Sequence, residues 1–394
     1  MKKTLAAVAV LSAFATSAFA AEVTIYGRVG TGFLLHDYES TDFNGVKTDA
    51  TDFSMDSGVT TTNRLGFKGS EKISEDLEVG FVLETKLLTD SGTAFAGGFD
   101  RESLIYAKTN YGNFYAGKVG AMWSDGGSTA FWAANYVAGG TGGGGYSVQG
   151  IGLMASQMAR VSNRISYISP TFAGFTLYGE YSFGAGHPDP EDATETLYDA
   201  ENSSREDRPA AIGLKYANGP FGAGMVLTYK NEASITTSAA GVDTCTDQEN
   251  EFTVNLGTNY DFGFANVKLA GQYFTGSDSI GNVTALAKVA DATVTGFDDL
   301  KGYALVAGAD IPAWGGSWTV SVAYTDAEDD ASDRTVNTDF MGFNAVAMYT
   351  YPLSKQTLLK AGIGYLKVEA DRDGKAHKAE YETVDAWVGL VQYF

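Results

Sequence analysis

The sequence has little of two residues that shape many exported proteins. It contains one cysteine, Cys245, and only 7 prolines in 394 residues. A single cysteine excludes an intrachain disulfide framework. No Pro/Ser-rich linker or break in composition divides the chain, which favours one large unit over two separate domains. Stability must therefore come from backbone pairing and from burial of apolar side chains.

Positive charge is also scarce. The chain has 27 Lys and Arg against 48 Asp and Glu, a formal net charge of −21. A nucleic-acid-binding protein needs a basic surface, so this class is excluded. The negative charge gathers in stretches such as HPDPEDATETLYDAENSSRED (187–207) and TDAEDDASD (325–333), while the segments between them are rich in glycine, aromatic and β-branched residues.

Long apolar runs are missing once the first residues are passed. Residues 1–20, MKKTLAAVAVLSAFATSAFA, have two lysines, a small and apolar stretch, and Ala18-Phe19-Ala20. This pattern predicts a secretory signal peptide that is cleaved after Ala20, leaving 21–394 as the mature chain. A transmembrane anchor is disfavoured because the apolar part is short and polar sequence follows at once. No later run of 18 apolar residues exists, which excludes a helical membrane protein.

What the sequence does contain is a regular period of two. In EFTVNLGTNYDF (251–262), every second residue from Phe252 to Phe262 is apolar or threonine, and SWTVSVAYT (317–325) and FGAGMVLTYK (221–230) repeat the pattern. Each apolar face has aromatic ends and an aliphatic middle, as in strands that cross a bilayer. Phe252 and Tyr260 are about 26 Å apart along a strand, enough for an apolar band about 25 Å tall. A soluble sandwich also alternates, but without this banding in strand after strand.

The connections between these strands alternate between short and long. Short turns are predicted at 110–113, 217–221, 261–264, 312–317 and 352–356, and long acidic loops at 37–57, 184–207, 232–250, 275–299, 326–337 and 369–380. The pattern predicts an all-β fold, a transmembrane 16-stranded antiparallel up-and-down β-barrel with short periplasmic turns and long extracellular loops. The last strand, VDAWVGLVQYF (384–394), is expected to pair with the first, close the barrel and place Phe394 at an aromatic girdle.

Five stretches resemble the general porins of Gram-negative outer membranes. They are VTIYGRVGTGF (23–33), NRLGFKGSEKISEDLEVGFVLE (63–84), NRISYISPTFAGF (163–175), YPLSKQT (351–357) and VGLVQYF (388–394). The resemblance implies a water-filled homotrimer, embedded in outer-membrane lipid and lipopolysaccharide, whose third loop folds inward as a constriction. VGLVQYF is similar to the family's terminal assembly signal, which implies that Val388, Leu390 and Phe394 are read by the barrel-assembly machinery.

The resemblance also implies a basic wall that faces the third loop. The matching positions are Arg28 in YGR, Arg64 in NRLGF, Arg101 in DRESLIY, and Arg160 or Arg164 before SYISP. The alternation agrees for Arg28, Arg64 and Arg164, which are out of phase with neighbouring apolar residues, and Arg101 is taken as out of phase with Leu104 and Tyr106. We therefore expect these arginines to point into the lumen and to form a selectivity ring.

The third loop, 121–160, departs from the family pattern. It lacks the acidic stretch found in some members and has Asp125 as its only acid, followed by STAFWAANYVAGGTGGGGYSVQG (128–150). We expect a constriction that is basic on one wall and mostly uncharged or aromatic on the other. This arrangement predicts weak to moderate anion preference at high salt. The preference should drift toward cations on dilution, because the loop charges then act over a longer range.

Other motifs carry less weight. The glycine run at 140–145 satisfies a nucleotide-binding pattern but lacks the strand and helix around it, so a flexible loop is predicted. His36, His187 and His377 have no metal-ligand spacing, and nothing marks a nucleophile with its base, so no enzyme and no cofactor are expected. The acidic loops could collect Ca²⁺ or Mg²⁺ and so bridge lipopolysaccharide, or they could simply be solvated.

The leading hypothesis is passive diffusion of small hydrophilic solutes and ions across the outer membrane, through a trimeric barrel that occupies 21–394. Two alternatives stay open at this point. One is an outer-membrane adhesin or surface-recognition barrel whose acidic loops are the functional part. The other is a soluble exported β-protein, which should need no detergent for extraction.

Overall fold

The fold is taken from a computed structural model. It describes residues 23–58, 62–94, 97–137, 150–155, 159–184, 208–231, 235–239, 242–246, 249–281, 299–329 and 336–394. The predicted signal peptide, residues 1–20, lies outside these ranges. None of the helices within them is long and apolar enough to cross a membrane.

The described chain is almost entirely β-strand. The strands are β1 (Thr24–Thr41), β2 (Lys47–Ser57), β3 (Arg64–Ser74), β4 (Leu77–Lys86), β5 (Glu102–Thr109), β6 (Gly112–Gly120), β7 (Arg160–Ile168), β8 (Phe175–Ser182), β9 (Ala210–Asn218), β10 (Phe221–Lys230), β11 (Ile235–Ala239), β12 (Val242–Thr246), β13 (Glu251–Asp261), β14 (Asn266–Ser277), β15 (Leu300–Ala313), β16 (Gly316–Asp329), β17 (Thr338–Pro352), β18 (Thr357–Arg372) and β19 (Ala379–Tyr393). Strands β11 and β12 form a separate hairpin in the connection after β10, and the other 17 share one sheet.

This sheet closes on itself. Strand β1 pairs along one edge with β19. Along its other edge, residues 31–41 pair with β2 and residues 24–28 pair with β3. Since β2 and β3 lie end to end beside the same strand, they fill one position in the wall. The result is a closed 16-strand antiparallel up-and-down barrel. The predicted fold class and the pairing of the last strand with the first are confirmed.

The two faces of each strand follow the alternation in the sequence. On β13, Phe252, Leu256 and Tyr260 are exposed on the outer surface, while Thr253 and Asn255 are buried inside.

Strand β5 differs from the prediction. Ile105 is 56% exposed and Leu104 only 5%. The inner face of β5 therefore carries Leu104, and residues of the opposite phase face outward. The phase argument for Arg101 was therefore wrong, although Arg101 precedes the strand and is placed by other contacts.

Five of the six predicted long loops contain strand, including 232–250, which holds β11 and β12, and 275–299, into which β14 extends as far as Ser277. Within 37–57, β1 continues to Thr41 and β2 begins at Lys47, joined by a tight turn in which a carboxylate oxygen of Asp42 accepts the N–H groups of Asn44 and Val46, both at 2.8 Å. Within 326–337 and 369–380, strands β16, β18 and β19 also extend into the predicted loops. These acidic segments are polar enough to resemble loops, but neighbouring strands satisfy their backbone groups.

The barrel wall is consequently taller on one side. Strands β15 to β19 and β1 have 14 to 18 residues, whereas β5 to β10 have 8 to 10. A strand that crosses a bilayer needs only about 9 to 11 residues. The tall side therefore projects past the apolar band, at the end of the barrel where the turn 42–46 and the third loop lie. We call this end the loop rim.

The third loop folds into the barrel. Its first part contains a short helix, α1 (Trp132–Tyr136), which packs on β10, β13 and β14, and its later part contains a 3-10 helix (Gly150–Leu153), which packs on β16 and β17. Trp132, Tyr136 and Met154 are almost completely buried. The inward fold is thus seen for 121–137 and 150–155, while the glycine run at 140–145 lies outside the described residues.

Candidate pore constriction

Glycines on the barrel wall make room for the third loop. Gly213, Gly224 and Gly257 lie on neighbouring strands and face the interior. A β-carbon at Gly213 would lie 2.6 Å from Sδ of Met122, and β-carbons at Gly224 and Gly257 would overlap Tyr136. Met122 and Tyr136 of the loop therefore occupy space that larger residues at these three wall positions would fill.

Amide side chains hold the loop on the same side of the barrel. The indole N–H of Trp123 donates to Oδ1 of Asn255 at 3.0 Å, and the backbone N–H of Ala155 donates to Oε1 of Gln272 at 2.7 Å. Nε2 of Gln272 donates in turn to Asn255 at 3.0 Å. Trp123 and Ala155 of the loop are thus fixed to β13 and β14.

The first residues of the loop are fastened by two buried carboxylates. Glu180 accepts the N–H of Met122 at 3.1 Å and the hydroxyl of Thr129 at 2.7 Å. Glu102 accepts the N–H groups of Gly120 at 3.0 Å and of Ser128 at 2.7 Å. Charge-assisted hydrogen bonds of this kind are strong in a dry environment, so these glutamates set where the loop enters the lumen.

The sequence left open whether Arg160 or Arg164 belongs to the basic wall, and the burial of the two side chains distinguishes them. Arg164 is only 4% exposed, and its Nη1 lies 2.6 Å from Oε2 of Glu180, beneath the root of the loop. Arg160 donates from Nη2 to the carbonyl of Gly126 at 2.9 Å. The structure therefore places Arg160 with the other wall arginines and makes Arg164 the partner of a loop anchor.

Arg28, Arg64, Arg101 and Arg160 form one cluster. Arg28 and Arg64 are direct cross-strand partners. Arg64 is close enough to Arg28, Arg101 and Arg160 for their positive charges to act on it. A β-carbon on Gly126 would be 3.4 Å from Nη2 of Arg160 and 3.8 Å from Nη1 of Arg64, so these two guanidinium groups converge on one point of the loop. We call these four arginines the basic cluster.

Sequence reasoning missed an acid within the basic cluster. Oε1 of Glu84 lies 2.6 Å from Nε of Arg101 and 3.4 Å from Nη1 of Arg64, and its other oxygen accepts the Tyr26 hydroxyl at 3.1 Å. The alternation of β4 places Glu84 on the inner face, which is a signal that could have been used. Its pairing with arginines depends on strand register, which the sequence pattern does not give.

Two further charged residues complete the surroundings. Lys360, on the inner face of β18, is almost buried and lies within the field of Arg28. Asp125 is exposed and adjoins Gly126, the residue that Arg160 contacts. The structure thus brings the predicted constriction-loop acid beside the cations. Counting Glu84, Glu102 and Asp125 against the basic cluster and Lys360, positive charge remains in excess.

The other polar groups that the structure describes in the lumen form no metal centre. His36 lies 2.6 Å from Oδ1 of Asp385 through Nδ1, and its Nε2 is 3.0 Å from the hydroxyl of Tyr381. In the described part of the chain, no three His, Cys, Asp or Glu side chains come together as a metal site requires. Most of 184–207 and 275–299, two of the acidic loops that could collect divalent cations or simply be solvated, falls outside the described residues.

The comparisons with known proteins agree with the barrel and its lumen. Residues 7–371 match the model of the Gram-negative porin family. The chain is 28% identical to an outer membrane porin protein of Bordetella pertussis, over 93% of this chain and 94% of that protein. It is 27% identical to the outer membrane porin protein 32 of Delftia acidovorans, over 93% and 90% of the two chains.

Solved structures show the same fold. An anion-selective porin from Comamonas acidovorans superposes with a TM-score of 0.64 at 23% identity, covering 95% of this chain and all of that one. The trimer form of the Vibrio cholerae outer membrane protein OmpT gives a TM-score of 0.59 at 15% identity, over 95% and 100% of the chains. A closed barrel with an inward loop, and a family match that spans nearly the whole chain, lead to one conclusion: the chain belongs to the Gram-negative porin family, whose members form channels in the outer membrane.

Proposed function

We propose that this porin is a passive diffusion channel for small hydrophilic solutes and ions, and that the basic cluster makes it prefer anions. The observation that carries the proposal is the convergence of Arg28, Arg64, Arg101 and Arg160, of which Arg64 and Arg101 pair with Glu84. The name of the Comamonas acidovorans structure, an anion-selective porin, supports the same direction.

Distance explains why a few arginines can outweigh an acidic protein. The chain carries a net charge of −21, but the acidic residues at the loop rim act on an ion through open water. Screening at about 0.15 M salt reduces their field over about 8 Å. An ion that passes the basic cluster lies within a few ångströms of the guanidinium groups, beside a loop of low polarity, where screening is weakest.

The assembly that we propose is a homotrimer in outer-membrane lipid and lipopolysaccharide. The similarity to the OmpT structure described as a trimer form supports it. We also propose export through the N-terminal signal of residues 1–20 and recognition of Val388, Leu390 and Phe394 by the barrel-assembly machinery. Val388 and Leu390 on β19 and Phe394 directly after it are exposed on the outer surface of the barrel, where a protein partner or lipid can contact them.

The ion preference can be measured as the reversal potential of purified porin in a planar bilayer with a KCl gradient. We expect an anion-selective sign for the wild type. The R28A/R64A variant should shift the potential toward cations and conduct bulky solutes better, because two positive charges and two long side chains leave the constriction. Selectivity is expected to fall by about fivefold for each charge removed, as a Coulomb energy of about 1 kcal/mol implies.

A matched control removes the same charge from the outer surface. Lys301 and Lys367 face outward and pair with Glu328 and with Glu369 and Glu382. The K301A/K367A variant should keep the wild-type potential at high salt. An R28A/R64A variant with an unchanged potential at every salt concentration would show that the basic cluster does not control ion passage.

A further inference from the structure

Tyrosine rings lie on the wall of the lumen next to the basic cluster, on the side away from the loop rim. Tyr26 of β1 is two residues from Arg28, about 7 Å along the strand, and it lies directly opposite Gly66 of β3. On β5, Tyr106 lies directly opposite Gly80 of β4. Both tyrosines are on the inner face of their strands and are partly exposed there.

Glycine on the neighbouring strand lets each ring lie against the wall. A β-carbon at Gly66 would be 2.3 Å from Cζ of Tyr26. One at Gly80 would be 2.4 Å from Cζ of Tyr106. Each ring therefore covers its glycine instead of standing upright in the pore, and its other face is turned toward the lumen. The hydroxyl of Tyr26 donates to Glu84 at 3.1 Å, which fixes this ring.

A lysine lies over each ring, and the two lysines differ in their partners. Nζ of Lys68 is 5.0 Å from the ring centroid of Tyr26. Nζ of Lys108 is 4.8 Å from that of Tyr106 and also pairs with Glu78 at 3.0 Å, so its charge is compensated. Lys68 is exposed and has no acidic partner among the residues that the structure describes. We call Tyr26 and Lys68 the aromatic ledge.

The ammonium group of Lys68 can give way to an aromatic ring of a solute. A cation-π contact at an exposed site is weak, and lysine has a long, flexible side chain. A planar ring that stacks on Tyr26 with an offset buries apolar area in addition. Lys68, moved from the face of Tyr26 to its edge, stays within reach of an anionic group on the stacked ring. The ledge therefore fits solutes that have both an aromatic ring and a negative charge.

The charges around the aromatic ledge also favour an anion. Arg28 and Arg64 of the basic cluster are cross-strand partners and lie two residues from Tyr26 and from its opposing glycine. One oxygen of Glu84 contacts the Tyr26 hydroxyl, and the other is engaged by Arg64 and Arg101. An anion that moves from the basic cluster to the ledge thus stays close to positive charge.

We propose that the aromatic ledge binds solutes that combine a planar aromatic ring with a carboxylate or sulfonate group. The ring stacks on Tyr26, and the anionic group pairs with Lys68. The porin then prefers aromatic anions to aliphatic anions of the same size and charge. The inference rests on the proposed channel function and names a solute class for it.

The test uses the porin in a planar bilayer between equal low concentrations of two sodium salts, benzenesulfonate on one side and cyclohexanesulfonate on the other. Both anions carry one negative charge and a six-membered ring, but only the ring of benzenesulfonate is flat and aromatic. The reversal potential gives the ratio of their permeabilities. We expect the wild type to favour benzenesulfonate by about fivefold, the factor that one ring contact of about 1 kcal/mol gives.

Variants of Tyr26 separate the role of the ring from that of the hydroxyl. Y26L removes the ring and should abolish the preference, whereas Y26F loses only the hydrogen bond to Glu84 and should keep the wild-type ratio. Y106L is the matched control, because it also removes a ring that covers a glycine and widens the lumen in the same way. Since Lys108 beside it is already paired with Glu78, Y106L should leave the ratio unchanged.

Two results would overturn the aromatic ledge. One is equal permeability of the two anions in the wild type, which needs no variant, and the other is an equal fall of the ratio in Y26L and Y106L. Failure of the channel proposal looks different, since the wild type would then conduct neither anion. An error in the proposed anion preference would appear in the KCl gradient, where no aromatic solute is present.

Discussion

Glycine at positions 213, 224 and 257 shapes the constriction at the scale of a single residue. At Gly257 an added methyl group would overlap Tyr136 of the third loop. G257A should therefore displace α1 from the wall and destabilise the loop by about 1–3 kcal/mol, the usual cost of overpacking a buried site. Single-channel recording should show an altered conductance with a broader distribution, and protease should cut the loop faster.

Gly179 supplies the control for this substitution. A β-carbon there would have nothing within 4 Å, so G179A adds the same methyl group to the outer surface of the barrel. Its conductance and protease resistance should match the wild type. If G257A also behaves like the wild type, α1 does not rest on these glycines.

The residues of the site were only partly predictable. The period of two placed Arg28 and Arg64 on the inner face, because each stands beside apolar residues of the opposite phase. The same rule gave the wrong face for Leu104 of β5. The carboxylates of Glu84, Glu102 and Glu180 could not be assigned roles, because each role depends on a partner from a distant part of the chain.

At the scale of a strand, the assignment of its outer face to lipid can be tested by placing a charge there at mid-bilayer. Val322 is an exposed residue in the middle of β16, on the outer face between Trp318 and Tyr324. V322R should lower the free energy of unfolding by about 2–4 kcal/mol, since the arginine would stand in the apolar band. Urea titration of the porin folded into vesicles measures this change.

The same substitution outside the band is the comparison. Val46 is exposed in the turn that joins β1 to β2, where water can solvate an arginine, so V46R should cost little. Ser321, which faces the opposite side of β16 from Val322, is less suitable because it is buried inside the barrel. Equal destabilisation by V322R and V46R would mean that Val322 does not face lipid.

Element boundaries were harder to predict than element number. Aromatic and aliphatic banding identifies the part of a strand that crosses the bilayer, because lipid imposes that pattern. Beyond the bilayer, both faces of a strand can be polar, so the ends of β1, β2, β16 and β18 resemble loops in sequence. The division of one barrel position between β2 and β3 also left no signal in the pattern.

At the scale of the whole molecule, the tall wall and the inward loop produce an asymmetric pore. The two helices of the third loop pack on β10, β13, β14, β16 and β17, so we expect the open path to run on the other side, beside the basic cluster. Closure and strand number could be predicted from the sequence, because lipid allows no free sheet edge. The position of the path could not, since it depends on how the loop packs inside the closed barrel.

The seam between β1 and β19 gives a final test of the whole barrel. Phe394 exchanges two backbone hydrogen bonds with Gly27, at 3.0 and 3.2 Å, and its ring covers that glycine, where a β-carbon would be 2.7 Å from Cζ. F394A keeps the backbone bonds but removes the ring. We expect it to reduce the yield of heat-modifiable barrel in the outer membrane sharply, whereas F394Y keeps the ring and should assemble.

Refolding of purified chains in detergent separates the two roles of this ring. Without the assembly machinery, F394A should still fold but unfold at lower urea, because the apolar contact across the seam is lost. Phe172, exposed in a short turn, is the matched site, and F172A should change neither yield nor stability. Wild-type yield and stability for F394A would show that the ring contributes neither to recognition nor to closure, and the seam would then depend on its backbone hydrogen bonds alone.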